Sequence, residues 1–260
     1  MAGRRKLRRG IYLLPTAFTT GSLCCGFFSL IESSRGDYKS AALLIIVAGV
    51  LDGLDGRIAR LTGTTSEFGV EFDSMADISS FGIAPAFLAY QWALQSFHRV
   101  GWLVAFLFVA CAATRLARFN IQHGSADKRF FAGLPSPAAA GVIASVAYAF
   151  PNPPVQLGLS VLIGVLVATA ALLMVSHIRY RSFKTLDLRS PRSYLSVVAI
   201  ALVFVAIFVH RNSMMVIAGL YLLSGPAASF ASFVVRGRGG ARDGVSGAST
   251  EEAVDGAHER

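Results

Sequence analysis

The chain has 260 residues, of which 54% are apolar and 15% are charged, and its formal net charge is +9. This composition excludes an ordinary soluble domain and indicates a polytopic membrane protein. The basic residues occur in short clusters between apolar runs. We therefore expect them to orient helices and contact anionic membrane lipids, and we expect no nucleic acid partner.

A helix needs about 20 mostly apolar residues to cross the hydrocarbon core of a bilayer. Eight segments come close to this: 11–31, 38–61, 73–97, 99–121, 136–151, 154–177, 194–210 and 213–235. The sequence thus predicts an all-α membrane domain over 11–235. A basic cytoplasmic segment, 1–10, precedes it, and a Gly-rich polar tail, 236–260, follows, which we expect to be disordered and cytoplasmic.

The lysines and arginines predict the orientation of these spans, because short cytoplasmic loops are enriched in them. Twenty of the 24 lie on one side of the alternating connections, and four, Arg35, Lys39, Arg99 and Arg211, lie on the other. This distribution favours an even number of spans with both termini in the cytoplasm. We expect a multi-pass protein of the cell (inner) membrane.

The second span carries two carboxylates in the stretch LDGLDGRIARLTG, residues 51–63. Placing an ionised group within a membrane costs free energy. Acidic residues there therefore indicate a functional site rather than a purely structural role. A helix turns about 100° per residue. Asp52 and Asp55 therefore share one face of the span with Gly56 and Ala59.

The third span repeats this design in the stretch GVEFDSMADISSFG. Gly69, Asp73 and Asp77 are spaced by four and share a helix face. The connection between the two spans is short, which predicts antiparallel neighbours. Four carboxylates are then expected to converge at the cytoplasmic ends of spans two and three.

Four adjacent carboxylates need compensating charge. Mg²⁺ or Mn²⁺ can supply it, because these ions take oxygen ligands and leave positions for phosphate oxygens. We predict that Asp52, Asp55, Asp73 and Asp77 bind divalent ions, and that the neighbouring glycines admit a second backbone or a flat ligand. The alternative is that the acids are solvated, or pair with arginines of the second span.

Written as a pattern, residues 52–77 read D-x-x-D-G-x-x-A-R-x8-G-x-x-x-D-x-x-x-D. This resembles the signature of the CDP-alcohol phosphatidyltransferase family, and every fixed position matches. The stretches ATRLARFNIQ and KRFFAGLPSPAAAG resemble the membrane-embedded branch of that family that uses CDP-diacylglycerol and L-serine. The resemblance covers roughly residues 8–235.

The resemblance implies an all-helical homodimeric membrane enzyme whose active site opens to the cytoplasm. It implies that Asp52, Asp55 and Asp73 bind two divalent ions, and that Asp77 is a further ligand or the general base. The residues expected to contact the nucleotide are Gly56, Ala59, Arg60, Gly69 and Thr19. For the threonine, a hydrogen bond to its own helix is an equal alternative.

L-Serine brings a carboxylate to the site, and the donors of arginine match carboxylate and phosphate groups. The residues expected to bind these anions are Arg115, Arg118, Asn120, Lys128 and Arg129. The alternative for the basic ones is anchoring of the cytoplasmic loops. Gly133, Pro135 and Pro137 either position this loop against the substrate or only break the chain between spans four and five.

The predicted reaction is transfer of a phosphatidyl group to serine, which gives phosphatidylserine and CMP. Enzymes that use glycerol 3-phosphate, inositol phosphate or choline share the signature, so the acceptor stays open. More distant alternatives are an intramembrane prenyltransferase, whose acidic motifs lie far apart, and a cation transporter, whose ionisable groups lie near mid-membrane. Here all four acids fall within 26 residues at one end of the spans.

Overall fold

The structure is a computed structural model that describes residues 2–62, 67–121, 130–176, 178–181, 219, 220 and 222. Among these, the chain is helical apart from irregular connections and one pair of three-residue strands. The seventh and eighth predicted spans lie outside the described residues, except for three positions between 219 and 222, and the tail 236–260 lies wholly outside them. The count of eight spans therefore stays a prediction.

The first two helices form an antiparallel hairpin, with α1 at Ala2–Arg35 and α2 at Tyr38–Thr62. The basic N-terminal segment is thus helical and continuous with the first predicted span. Gly36 makes the turn between the helices with φ of 82°, a backbone conformation that favours glycine. The carboxylate of Asp37 then accepts a hydrogen bond from the backbone N–H of Ser40 at 3.1 Å, which caps the start of α2.

The third predicted span is an irregular helical rod that begins at Glu67, six residues earlier than predicted. Its parts in chain order are α3 (Glu67–Asp77), a π-helical segment (Ile78–Ile83), α4 (Ala84–Ala89), a second π-helical segment (Tyr90–Leu94) and a 3₁₀ turn (Gln95–Phe97). The apolar pattern of the sequence indicated the rod but gave no sign of its changes in helical pitch.

Three regular helices follow, close to where the apolar runs predict them: α5 (Arg99–Ile121), α6 (Ser136–Ala149) and α7 (Leu157–Val175). Two of the described helices, α5 and α7, are long and apolar enough to cross a membrane, whereas α6 is apolar but shorter. The outer faces of α5 and α7 expose large apolar side chains such as Trp102, Phe106 and Leu162. These features are consistent with a membrane protein.

The strand pair was not expected from the sequence. β1 (Phe130–Ala132) pairs antiparallel with β2 (Arg179–Arg181) where α6 begins and α7 has ended. Gly133 follows β1 with φ of 85°, and a Cβ at this position would collide with the carbonyl oxygen of Met174. Its N–H donates to the carbonyl of Ile178 at 2.9 Å. The glycine therefore docks this loop onto the end of α7, beyond simply separating two spans.

The helices pack closely through small residues. Along the hairpin, the hydroxyl of Ser22 donates to the carbonyl of Ala48 at 3.1 Å, and that of Ser29 donates to the carbonyl of Ala41 at 2.9 Å. A Cβ at Gly26 would lie 2.8 Å from the Cα of Ser80, so glycine lets α1 touch the first π-helical segment. Such close backbone approach is typical of helix packing in membranes. It fixes α1, α2 and the rod relative to one another.

Candidate metal centre and active site

Three carboxylates converge at the end of the hairpin opposite the Gly36 turn. One oxygen each from Asp52 and Asp55 of α2 and from Asp73 of α3 lie within 4.8 Å of one another. Asp55 is only 5% exposed, and the other two are half-buried. This is the convergence that the helical spacing predicts. Three carboxylate oxygens at this separation fit the preference of Mg²⁺ and Mn²⁺ for oxygen ligands.

Asp77 joins this cluster from the last turn of α3. Its carboxyl group lies within hydrogen-bonding distance of that of Asp52, and its other charged neighbours are Asp73 and Arg115. Acidic groups outnumber the basic group among these neighbours. Carboxylates this close repel one another unless a cation lies near them, so the cluster as a whole suits divalent ions.

The first π-helical segment begins directly after Asp77 and is anchored to α1. The hydroxyl of Ser80 donates to the carbonyl of Ser22 at 3.0 Å, next to the close contact at Gly26. Single π-helical turns within α-helices often occur at functional sites. Here the wide turn and its anchor set the position of the helix at Asp77.

Helix α1 reaches the acids through Thr19. The hydroxyl of Thr19 donates to Oδ2 of Asp55 at 2.8 Å, and both residues are buried. The neighbouring Thr20 donates instead to the carbonyl of Thr16 in its own helix, at 2.7 Å. The role of Thr19 at a nucleotide stays a prediction, and the structure adds a contact with a predicted metal ligand.

The predicted nucleotide residues lie beside the acids. A Cβ built on Gly56 would contact no neighbouring group among the described residues within 4 Å. Gly56 is half-buried, and the expectation that this glycine admits a second backbone or a flat ligand stays a prediction. Gly69 is half-buried on α3. Ala59 and Arg60 lie on the last turn of α2, and their side chains lie outside the described part of the structure.

Arg115 is the predicted anion-binding residue that the fold brings to the acids. It interacts electrostatically with Asp77, and its Nη1 donates to the hydroxyl of Ser136 at 3.0 Å. Ser136 is the first residue of α6 and is only 3% exposed. This serine is not among the residues predicted for the site. The available signal was a polar residue between two prolines at the start of an apolar helix.

Arg118 and Asn120 contact the protein at the same end of α5. Nη1 of Arg118 donates to the carbonyl of Val175 at the end of α7, at 3.2 Å. Nδ2 of Asn120 donates to the hydroxyl of Ser74, beside the acids, at 3.0 Å. Both side chains thus hold helices around the site, and their substrate contacts stay predictions. The other two candidates, Lys128 and Arg129, lie outside the described residues.

Comparison with known proteins identifies the family of the chain. The family profile described as CDP-alcohol phosphatidyltransferase matches residues 12–178, which include all four acids. The chain belongs to the CDP-alcohol phosphatidyltransferase family. This membership leaves the prenyltransferase and transporter alternatives without support.

Several curated relatives in this family carry names that specify serine. The CDP-diacylglycerol–serine O-phosphatidyltransferase of Helicobacter pylori strain J99 is 40% identical over 223 residues, which cover 83% of this chain and 90% of the relative. The enzyme of the same name from Bacillus subtilis strain 168 is 32% identical over 171 residues, or 66% of this chain and 91% of the relative. An archaetidylserine synthase of Methanothermobacter thermautotrophicus is 39% identical over 134 residues, or 51% of this chain and 56% of the relative.

Proposed function

We propose that this protein transfers the phosphatidyl group of CDP-diacylglycerol to the hydroxyl of L-serine and releases CMP. The observation that carries the proposal is the convergence of Asp52, Asp55 and Asp73, from two helices, in a member of this family. The choice of serine as acceptor is supported by the names of the bacterial and archaeal relatives.

The three converging carboxylates would hold one or two Mg²⁺ or Mn²⁺ ions. When bound, such ions neutralise the diphosphate of the substrate and the charge that grows on the departing CMP. Asp52 and Asp73 are half-buried and Asp55 is buried, so the protein excludes much of the water from the acids before any ligand binds. Electrostatic interactions with a diphosphate are stronger in such a setting than in bulk water.

In the proposed reaction, the hydroxyl oxygen of serine forms a bond to the lipid-side phosphorus, and the bond from that phosphorus to the CMP oxygen breaks. CMP leaves with the electron pair. The hydroxyl proton passes to Asp77, the candidate general base, and from there to water. Its position beside Asp52 and Arg115 supports this assignment, because the base must lie next to the diphosphate and to the acceptor.

We assign Arg115 to the anionic groups of the substrates. A guanidinium group has five N–H donors in a planar arrangement that suits carboxylates and phosphates. Ser136 accepts a hydrogen bond from one of its nitrogens, which restrains the guanidinium at the end of α5 whose charge acts on Asp77. In the same proposal, Gly56, Ala59, Arg60 and Gly69 line the cytidine site. Arg118, Asn120, Lys128 and Arg129 contribute further contacts to the acceptor or the phosphates.

The proposed setting is the cell inner membrane, with eight spans, cytoplasmic termini and a homodimeric assembly. The apolar helices α5 and α7 and the uneven distribution of lysine and arginine support the membrane orientation. The lipid anchor would stay in the bilayer while serine and CMP exchange with the cytoplasm.

The test is an assay of the purified protein in mixed micelles with labelled CDP-diacylglycerol and Mg²⁺ or Mn²⁺. L-Serine, glycerol 3-phosphate, inositol phosphate and choline are supplied in turn, and released CMP and the lipid product are measured. Of the four acceptors, we expect only serine to react, and it should give phosphatidylserine and CMP. We expect no reaction after chelation of the metal. CMP release with glycerol 3-phosphate but not with serine would overturn the acceptor, and no release with any alcohol would overturn the reaction class.

A further inference from the structure

We infer that Thr19 is a positioning residue for the metal ligand Asp55. Its hydroxyl holds the carboxylate of Asp55 in a fixed orientation in the cluster with Asp52 and Asp73, the three acids that would hold a divalent ion. This inference rests on the metal-binding part of the proposed function and does not depend on the acceptor alcohol.

The contact is short, buried and directional. Oγ1 of Thr19 donates to Oδ2 of Asp55 at 2.8 Å, and each residue is 5% exposed. A hydrogen bond to a charged acceptor is about twice as strong as one between neutral groups, and low local polarity strengthens it further. The carboxylate plane is therefore held by a group that belongs to another helix.

The position of Thr19 is set by the whole hairpin. Further along α1, Ser22 bonds to Ala48 and Ser29 bonds to Ala41, so α1 and α2 lie in a fixed antiparallel register. This register brings Thr19 opposite Asp55. A positioning group on a packed helix holds its partner more accurately than one on a loop.

Hydrogen-bond partners of metal ligands orient the ligand, and their loss commonly weakens metal affinity by about 10–100-fold. The other two acids of the cluster come from α2 and α3, whereas Thr19 comes from α1. The inference thus gives α1 a role at the metal centre, although α1 supplies no acid to it in the described structure.

The nucleotide role expected for Thr19 from the family resemblance makes a different prediction. A residue that only contacts the nucleotide would change the KM for CDP-diacylglycerol and leave metal affinity in the absence of substrate unchanged. A positioning residue for Asp55 would change metal affinity with no substrate present. The measurement must therefore be made on protein without CDP-diacylglycerol or serine.

The experiment titrates Mn²⁺ into the purified full-length protein in detergent and follows free Mn²⁺ by electron paramagnetic resonance. Thr19→Val keeps the shape of the side chain and removes its hydroxyl, whereas Thr19→Ser keeps the hydroxyl. Thr20→Val is the matched control, because Thr20 is the next residue on α1 and bonds only to its own helix among its described hydrogen bonds. Helix content and thermal unfolding in chelator verify folding, and Thr19→Ala replaces the valine variant if that variant does not fold.

We expect the Mn²⁺ dissociation constant to rise by about 10–100-fold in Thr19→Val, and to stay within about threefold of wild type in Thr19→Ser. Thr20→Val should bind like wild type. Wild-type Mn²⁺ affinity in folded Thr19→Val or Thr19→Ala would overturn the inference, whether or not the KM for the nucleotide lipid changes. A wild-type protein that binds Mn²⁺ but does not use serine would overturn the proposed acceptor and leave this inference standing.

Discussion

The two ends of the α1–α2 hairpin use carboxylates in opposite ways. At the turn, Asp37 is exposed and caps α2, and its hydrogen bonds from Ser40 lower its pKa. Nearby, the ammonium group of Lys39 lies 5.7 Å from the ring centre of Tyr148. This acid has partners in the folded chain, and its charge stabilises the helix that it caps.

At the other end, the acids are partly or fully buried and lie against one another. Asp52, Asp55 and Asp73 form a cluster within 4.8 Å, and Asp77 contacts Asp52. Folding alone does not favour such an arrangement, since like charges at this distance repel. An electrostatically unfavourable cluster in an otherwise consistent fold is expected at a functional site. The difference between the ends separates an acid that stabilises the fold from clustered acids that we propose to bind a ligand.

The largest expected effect is that of Asp73→Asn. The variant loses one charged oxygen ligand and should lose CMP release by about 10³-fold, because metal ions contribute several kcal/mol to transition-state stabilisation. The measurement is CMP release from labelled CDP-diacylglycerol at saturating serine. Asp37→Asn, at the other end of the hairpin, is the control and should keep wild-type activity. More than a tenth of wild-type turnover in folded Asp73→Asn would contradict the metal role.

The next effect concerns Arg115 and the serine that holds it. Arg115→Gln should lower kcat/KM for serine by about 100-fold, since hydrogen bonds between charged groups contribute about 1.5–3 kcal/mol each. Ser136→Ala should lower it by about tenfold, because the guanidinium stays but loses one partner. Steady-state kinetics with serine varied provide both values.

Arg99→Gln is the matched control for these variants, because Arg99 is exposed at the opposite end of α5. It should have wild-type kinetics. If Arg99→Gln and Arg115→Gln lowered kcat/KM for serine equally, the proposed difference between the turn end and the acidic end of the helices would be wrong.

A third prediction concerns stability rather than activity. Asp77→Asn removes one of the repelling charges beside Asp52, so in chelator it should unfold about 2–4 °C higher than wild type, an effect of about 1 kcal/mol. Thermal unfolding in detergent, followed by circular dichroism, measures this. Mg²⁺ should raise the unfolding temperature of wild type through preferential binding to the folded state. A lower unfolding temperature of Asp77→Asn in chelator would show that the clustered acids stabilise the fold.

The smallest effect on activity is expected at the turn. Asp37→Ala removes the helix cap and should lower the free energy of unfolding by about 1 kcal/mol, while CMP release is unchanged. Asp37→Asn should lose less stability, because asparagine also caps helices. The same unfolding experiment measures both variants. A turnover defect in Asp37→Ala that matches that of Asp73→Asn would remove the distinction between the two ends.

Helical periodicity predicted which acids share a face within each helix, Asp52 with Asp55 on α2 and Asp73 with Asp77 on α3. The short connection between these helices predicted that Asp73 meets the acids of α2, and the apolar runs gave α5 its observed bounds, Arg99–Ile121. These features follow from a turn of about 100° per residue and from the width of a bilayer, so a single sequence is enough to find them.

Contacts between distant helices could not be predicted in this way. Thr19 meets Asp55 because Ser22 and Ser29 hold α1 and α2 in one register. Arg115 of α5 meets Ser136 of α6, a contact that depends on how two separate helices pack. The first π-helical segment of the third span lies where Gly26 packs against Ser80, and neither π-helical segment leaves a periodic signal in the sequence. The β1–β2 pair arises because the ends of α6 and α7 leave backbone groups that need partners.

The most direct test of the metal centre is Mn²⁺ binding to the protein without substrates, measured by the loss of the free Mn²⁺ resonance signal. Wild type and Asp37→Asn should bind one or two ions saturably, and the double variant Asp52→Asn/Asp73→Asn should bind at least about 100-fold more weakly. Binding by the folded double variant with wild-type affinity, or no saturable binding by wild type, would contradict the account.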